Sequence, residues 1–431
     1  MGSALPARRG FSPLDEELEL LSGELTPALQ NVTVRLGAEI PFGRVAGFLE
    51  EMLRISINET TVRRLTEEAG RAYQAVQERE VERLEREAPP TPQGAPTMLM
   101  SLDGAMVPVE GGLFVEVKTL LIGVLDPPIL KDGEWEPQTR DLSYFSRLEE
   151  SETFTRSASV EVDRRGLTTA GVVVSPMDAA EWQQTFLAFY RPDAARVLDF
   201  PHAGQRLPPF GSAVWGEETD EAKAWLSMSL TQLKWTGPAE LLKELRMIHS
   251  VYPSEELRVN LAYLETREDR MNYPEYRVRG WPIASGAMES ANKTTVQARL
   301  DRSGMHWARA NVNPMLTLTN ALSNGRWSEA WAWISAERRA RTRNRCRKPK
   351  PVDPKEVNNA DATDRTEILG GVSAKETQQA NHTPCSVHEA RPESKPPAVV
   401  RRSPRAPYKP APNHPWRRPF LNPAKPNPLA C

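Results

Sequence analysis

Residues 97–126, TMLMSLDGAMVPVEGGLFVEVKTLLIGVLD, change the period of the chain from that of helices to that of strands. The run divides into TMLMSLD, GAMVPVE and FVEVKTLLIGVLD, with Asp103-Gly104 and Gly111-Gly112 as turn signals, and so predicts a three-stranded antiparallel meander. A polar insertion, DPPILKDGEWEPQTRDLSYFS, leads to a helical stretch near 147–166, then a short apolar strand GVVVSPMD, an amphipathic helix EWQQTFLAFYR and a further strand ARVLDF.

Antiparallel strands followed by strands alternating with helices predict an α/β domain on a mixed sheet, the arrangement of an RNase H-like domain. Its first part spans 97–205. Between 206 and 280 the pattern is helical and reads as a large α-helical insertion, and residues 281–335 supply closing helices. Upstream, 11–88 is all-helical. FGRVAGFLEEML, a break at RISIN and ETTVRRLTEEAGRAYQAVQEREVERLERE predict a helix-turn-helix-like region, with Asn58 as N-cap and Thr60, Thr61, Arg63 and Arg64 placed to meet DNA; an ordinary helical hairpin explains the same pattern. PPTPQGAP, within 89–96, reads as a linker. From 336 to 431 proline and basic residues replace apolar ones, which predicts a disordered tail whose Arg and Lys clusters, interleaved with Tyr408 and Trp416, suit phosphate backbones.

A chain of 431 residues exceeds one ordinary core, at roughly 100–200 residues per domain. The net charge of −2 averages over a basic carboxyl-terminal part and does not itself argue for or against nucleic acid. Three widely spaced cysteines, Cys346, Cys385 and Cys431, exclude a disulfide framework or a zinc cluster and suit a reducing cytoplasm. No secretory signal and no apolar run of about 18 residues is present, so a soluble, cytoplasmic, nucleoid-associated protein with no membrane partner is expected.

Three acids occupy comparable places: Asp103 ends the first strand, Asp178 ends GVVVSPMD, and Glu289 stands in the first turn of the helix opened by PIASGAMESANK. Carboxylates at the carboxyl ends of strands in an open α/β sheet converge on one edge. Three so close repel one another unless a cation neutralises them, and hard oxygen ligands suit Mg²⁺ or Mn²⁺, two ions of which can serve phosphodiester chemistry. Asp103, Asp178 and Glu289 are thus candidate metal ligands, and Lys293 a candidate phosphate contact. Each has a plainer reading: Asp-Gly as a hairpin turn, Asp178 as an N-cap, and Glu289 with Lys293 as an i, i+4 ion pair of about 0.2–0.5 kcal/mol.

The stretches SLDGAMVPV, VKTLLIGV, MDAAEWQQTF, RPDAARVLDFPHA, RMNYPEYRVRGWPIASGAMESANKTTVQARL and GMHWARANVNPML resemble bacterial insertion-sequence DDE transposases of the ISKra type, relatives of the Mutator-like transposases. The resemblance runs from about Phe11 to Trp333. It implies that Asp103, in the DGA element, and Glu289, in the SGxxES element, are the first and last catalytic acids, with Asp178 the second; Ala179 stands where the family element has glycine. Asp199 and His202, in LDFPHA, resemble the family's C/DxxH element, which makes Asp199 the alternative second acid; His202 reads more plainly as a packed core histidine that orients Asp199 than as a metal ligand. Arg270, Tyr273 and Tyr276 precede PIASG and are candidates to line a DNA path, although helix packing explains the tyrosines equally well.

The implied activity is DNA strand cleavage and transfer at the inverted repeats of an element, with two Mg²⁺ or Mn²⁺ ions, double-stranded DNA as partner and a homodimer or higher homo-oligomer as the working form. A DNA-binding repressor without chemistry and an RNase H-like nuclease are the alternatives.

Overall fold

The computed structural model describes residues 25–131, 134–178 and 180–347. Three helices come first, α1 (Pro27–Glu39), α2 (Phe42–Leu53) and α3 (Glu59–Glu87). Asn58 caps α3 as expected, its side chain accepting from the Thr61 N–H. The strands β1 (Thr97–Val109), β2 (Leu113–Lys131) and β3 (Glu134–Arg147) follow, then α4 (Ser151–Ser157), α5 (Ser159–Arg164), β4 (Val172–Met177), α6 (Glu181–Tyr190) and β5 (Ala195–Leu198). The sheet order is β3-β2-β1-β4-β5, antiparallel between β1, β2 and β3 and parallel from β1 to β4 and β4 to β5.

This is the expected mixed sheet, with the meander cut differently. Asp103-Gly104 is no turn: Asp103 pairs with Thr119 and Gly104 with Lys118 in an unbroken β1–β2 ladder. A two-residue hairpin turn of that kind needs φ > 0, and the glycines with positive φ nearby are Gly111 and Gly112, where the chain does reverse. The third strand is β3, cut from the stretch that reads as a polar insertion. As the outer strand of the sheet it carries charged residues that blunt an exposed edge, and this hides the period-2 signal. Pro127 and Pro128 sit in the register shift between Asp126 and Ile129, where a missing N–H costs no ladder bond.

Helices cover both faces. Met98, Met100, Leu102 and Val173 pack on one side with Phe154 of α4, Val162 of α5 and Phe186 of α6. Leu99, Leu121, Val174 and Val197 point to the other side, under α7 (Phe200–Gly204), α8 (Pro208–Trp215), α9 (Asp220–Trp235), α10 (Pro238–Val251), α11 (Glu255–Glu265) and α12 (Tyr273–Val278). Each fully buried large side chain there contributes about 1.5–3 kcal/mol. The chain then returns through α13 (Gly286–Ala291), a π-helical turn Asn292–Gln297 and Ala298–Leu300, before α14 (Arg309–Ser323) and α15 (Trp327–Arg347). The last helix runs well past position 336, where the tail was predicted to begin. Residues 348–431, with Tyr408 and Trp416, lie outside the described residues, as does Ala179.

The amino-terminal helices do not stand apart from the sheet. Phe42, Val45 and Leu49 of α2 and Val62 of α3 share a core with Val107, Val109 and Val117 of the β1–β2 arm, and Leu65, Ala69 and Ala72 of α3 pack with Leu318, Ala330 and Ile334 of α14 and α15. Gly70 permits the α3–α14 crossing: a Cβ there meets the backbone of Pro314, with its carbonyl carbon at 2.7 Å. Gly47, on α2, has nothing within 4 Å of a Cβ. Replacing each by alanine therefore has opposite effects. Gly70→Ala overpacks the crossing and lowers stability by about 1–3 kcal/mol, whereas Gly47→Ala gains roughly 0.5–1 kcal/mol of helix propensity; urea or thermal melts of the two variants check both signs.

Candidate active site

The register of the parallel strands decides the site. Leu99 pairs with Val174, and Val174 with Ala195; continued four residues on, this register sets Asp178 and Asp199, each just past the end of its strand, level with Asp103, and the Asp178 charge acts on the Asp103 carboxyl. In-register residues of parallel strands face the same side, and here it is the face under α7–α13. One step earlier the ladder is tied by Ser101, whose Oγ donates to the Pro176 carbonyl at 2.8 Å. Asp103 is mid-strand in β1, not at its end as the sequence suggested, but it lies beyond the last β1–β4 pair, where β1 continues as one arm of the hairpin.

Asp103 is half-buried. Burial pushes its carboxyl above the usual range and the neighbouring Asp178 charge adds to this, against hydrogen bonds from the Gly104 N–H (2.8 Å) and the Asn292 amide (2.9 Å). Asp178 accepts the Ala180 N–H at 3.1 Å, a local turn bond and not the expected N-cap, since the cap of α6 is Ala180; its backbone carbonyl accepts the Tyr263 hydroxyl at 2.9 Å. Gln183 of α6, buried, donates to the Leu102 carbonyl at 2.9 Å and fastens this helix beside Asp103.

Asp199 is 1% exposed and fully engaged. One oxygen accepts the Ser285 N–H at 2.6 Å; the other accepts the His202 N–H at 3.2 Å and lies 2.6 Å from His202 Nδ1. Burial alone would raise this carboxyl, but the bonds from His202 and Ser285 outweigh it and hold it below its usual range. The Asp199 hydrogen bond in turn raises His202, with smaller help from the charges of Asp178 and Asp103. His202 orients Asp199 as expected, yet its side chain is half-exposed and is no core histidine. Because Asp199 is consumed by its partners, Asp178 is the more available neighbour for Asp103.

The aspartate pair and Glu289 are not gathered. The Glu289 side chain is 61% exposed and pairs with Lys293 at 3.7 Å, the plain i, i+4 reading, which occupies both the expected third acid and the expected phosphate contact. A third carboxylate beside two others adds repulsion, and the outward rotamer on Lys293 relieves it. What reaches Asp103 from this helix is Asn292, one turn on from Glu289 and 5% exposed. Its amide nitrogen holds Asp103 while its Oδ1 is buried without a partner, at the first residue of the π turn, a feature frequent at functional sites. Asn292 stands i+3 from Glu289, a spacing that puts both on one helix face and is the one signal for it in the sequence.

Tyr273 and Tyr276 belong to the core, their hydroxyls donating to the Leu198 and Asp269 carbonyls, so helix packing rather than a DNA path accounts for them. Arg270 is mostly buried beside Asp269 at 3.9 Å. Thr60, Arg63 and Arg64 are exposed on α3 and Thr61 is half-buried; Arg63 pairs with Glu59 and Arg64 with Glu68, each at 3.2 Å.

Among the described residues no three His, Cys, Asp or Glu side chains are gathered to hold a metal unaided. The donors present still fit a hard divalent ion: Asp103 and the neighbouring Asp178, with an unpartnered buried Oδ1 on Asn292, whose amide nitrogen holds Asp103, offer oxygens only, and Mg²⁺ is commonly held by one or two carboxylates plus substrate phosphates. No family model matches the chain, and no curated protein is significantly similar to it. No helix among the described residues is long and apolar enough to cross a membrane.

The Asp199–His202 pair has a pH signature. A histidine raised by its fold contributes stability that is complete below its unfolded value of ~6.5 and is lost as pH rises through the higher folded value. Titration of His202 by NMR is expected to show a midpoint above the ordinary one that falls back in Asp199→Asn, and the stability difference between wild type and His202→Gln is expected to shrink as pH rises through that midpoint.

Proposed function

We propose that the chain is a DDE-type transposase, a DNA phosphoryl-transfer enzyme whose centre is Asp103 and Asp178 on an RNase H-like sheet. One observation carries this reading: acids of two neighbouring parallel strands stand level, on the sheet face where a helix delivers Asn292 and, one turn earlier, Glu289. The strand order and directions agree with an RNase H-like sheet, and the resemblance of DGA and SGxxES supplies the reaction class.

Asp103 and Asp178 would hold Mg²⁺ or Mn²⁺, with Asn292 Oδ1 as a further oxygen donor and Glu289 available from the adjacent turn. A divalent ion of this kind activates an attacking hydroxyl and stabilises the leaving oxygen of a phosphodiester. The protein's own contribution is positional. Asn292 and the Gly104 N–H fix the Asp103 carboxylate, Tyr263 anchors the backbone at Asp178, and Asp199 ties the segment before α13 to β5, so that the helix bearing Glu289 is registered against the acids. Recognition of the element's ends falls to the amino-terminal helices with the exposed first turns of α3, as a helix-turn-helix-like reader, and two ends held together call for a dimer or larger assembly.

The exposed Glu289–Lys293 pair favours a second reading, a DNA-binding repressor that has lost the chemistry. The two separate in one experiment. A labelled duplex bearing the element's end is incubated with Mg²⁺ or EDTA and with wild type, Asp103→Asn, Asp178→Asn or Glu289→Gln. The transposase reading predicts Mg²⁺-dependent nicking at the end, reduced at least 10³-fold in each variant; binding without nicking by wild type supports the repressor, and nicking of any branched duplex regardless of sequence a nuclease.

A further inference from the structure

We propose that Arg206 and Arg267, stacked on Tyr263, form a clamp for a DNA backbone phosphate next to the acidic centre; this rests on the reading of Asp103 and Asp178 as a phosphodiester centre. The Arg206 guanidinium carbon lies 4.2 Å from the centroid of the Tyr263 ring and that of Arg267 4.0 Å from the same centroid. The ring is held in place by its hydroxyl, which donates to the Asp178 carbonyl at 2.9 Å. Two cations are therefore fixed, through one aromatic ring, to the residue that carries the second acid.

Neither cation has a carboxylate. Among the described residues neither makes an ion pair, in a molecule whose surface arginines are otherwise paired with glutamates along α3 and α11. Their hydrogen bonds are to neutral groups: Arg206 Nη1 donates to Asn260 Oδ1 at 3.4 Å, and Arg267 Nη1 to the Tyr263 carbonyl at 3.1 Å and Thr266 Oγ1 at 3.0 Å. The Arg267 Nε is buried without a partner. Cation–π attraction compensates part of the cost of holding two like charges together, and leaves the remaining N–H groups of both planar forks free for an anion.

The anion is identified by geometry and place. Arginine forks match the paired oxygens of a phosphate, and stacking on tyrosine holds the forks rigid before the ligand arrives. The clamp adjoins Asp178, so the phosphate it takes is one flanking the bond that is cut. It lies in the helical insertion, on α11 and just beyond α11 and α7, which gives that insertion a task beyond covering the sheet.

Binding of a duplex oligonucleotide is measured by fluorescence anisotropy between 50 and 300 mM KCl in EDTA, for wild type, the double variant Arg206→Gln/Arg267→Gln and the double variant Arg206→Lys/Arg267→Lys. Arg258→Gln, which removes an exposed arginine paired with Glu255 on the same helix, is the control. Each lost phosphate contact lowers the slope of log K against log[salt] by ~0.9. The Gln pair is expected to lose roughly 1–2 units of slope and about tenfold in affinity at 100 mM salt, the Lys pair to recover slope more than affinity, and the control to match wild type. Unchanged slope and affinity in the Gln pair, or no DNA binding by wild type, overturns the clamp. If the Gln pair fails to fold, as circular dichroism would show, the single Arg206→Gln variant and the Lys pair carry the same comparison. Adding Mg²⁺ to the same proteins on the duplex bearing the element's end separates the two readings: a slope lost in the Gln pair without nicking by wild type keeps the clamp and removes the transposase, and nicking by wild type with an unchanged slope does the reverse.

Discussion

Mutual repulsion of neighbouring aspartates is the constraint around which this molecule is arranged. Adjacent strands lie about 4.8 Å apart, and two unit charges at ~5 Å repel by roughly 3 kcal/mol at an effective dielectric near 20. The register of β1 and β4 sets Asp178 close enough to Asp103 for its charge to raise that carboxyl, and Asp199 follows the end of β5. Each is answered separately: Asp199 by His202 and the Ser285 N–H, Asp103 by Asn292 and the Gly104 N–H, Asp178 by the Ala180 N–H. Two of these answers, Ser285 and Asn292, come from far along the chain. The acids and the helix that closes over them therefore organise one another.

This division of labour links packing to chemistry. Asp199 is structural, because its oxygens are spent on docking the segment before α13, where the Phe200 N–H also donates to the Ile283 carbonyl at 2.9 Å. Asp103 and Asp178 retain accepting capacity and a shared face. The helical insertion is attached at the same place, through the Tyr263 hydroxyl on the Asp178 carbonyl, so its two stacked arginines are tied to the backbone of Asp178.

Much of this was legible in the residues. Strong periodicity revealed α2, α3, β4, α6 and β5, and the Asn58 cap followed from side-chain chemistry alone. Asp103 and Asp178 stood out as acids expected at strand ends, and the fold sets them near each other although Asp103 lies within β1. The DG dipeptide misled, since a turn signal inside a long apolar ladder yields to pairing on both sides. β3 was missed because its first half, 135–141, is polar and largely exposed, and only its end, Ser143 to Arg147, is buried. Glu289 could be placed on its helix but not oriented, since a surface rotamer answers to its neighbours in space, and its neighbour is Lys293. Asn292, Tyr263 and the two stacked arginines join segments far apart in sequence, and without the fold nothing local distinguishes them from ordinary helix residues.

The central claim is that Asp103 and Asp178 act as one metal-binding unit. Electron paramagnetic resonance of added Mn²⁺ measures this directly, by the loss of the free-ion signal in the presence of wild type, Asp103→Asn, Asp178→Asn and an exposed control such as Asp220→Asn. The account predicts that either single substitution at 103 or 178 abolishes most of the binding that the control retains. Equal Mn²⁺ uptake by all four proteins would contradict it.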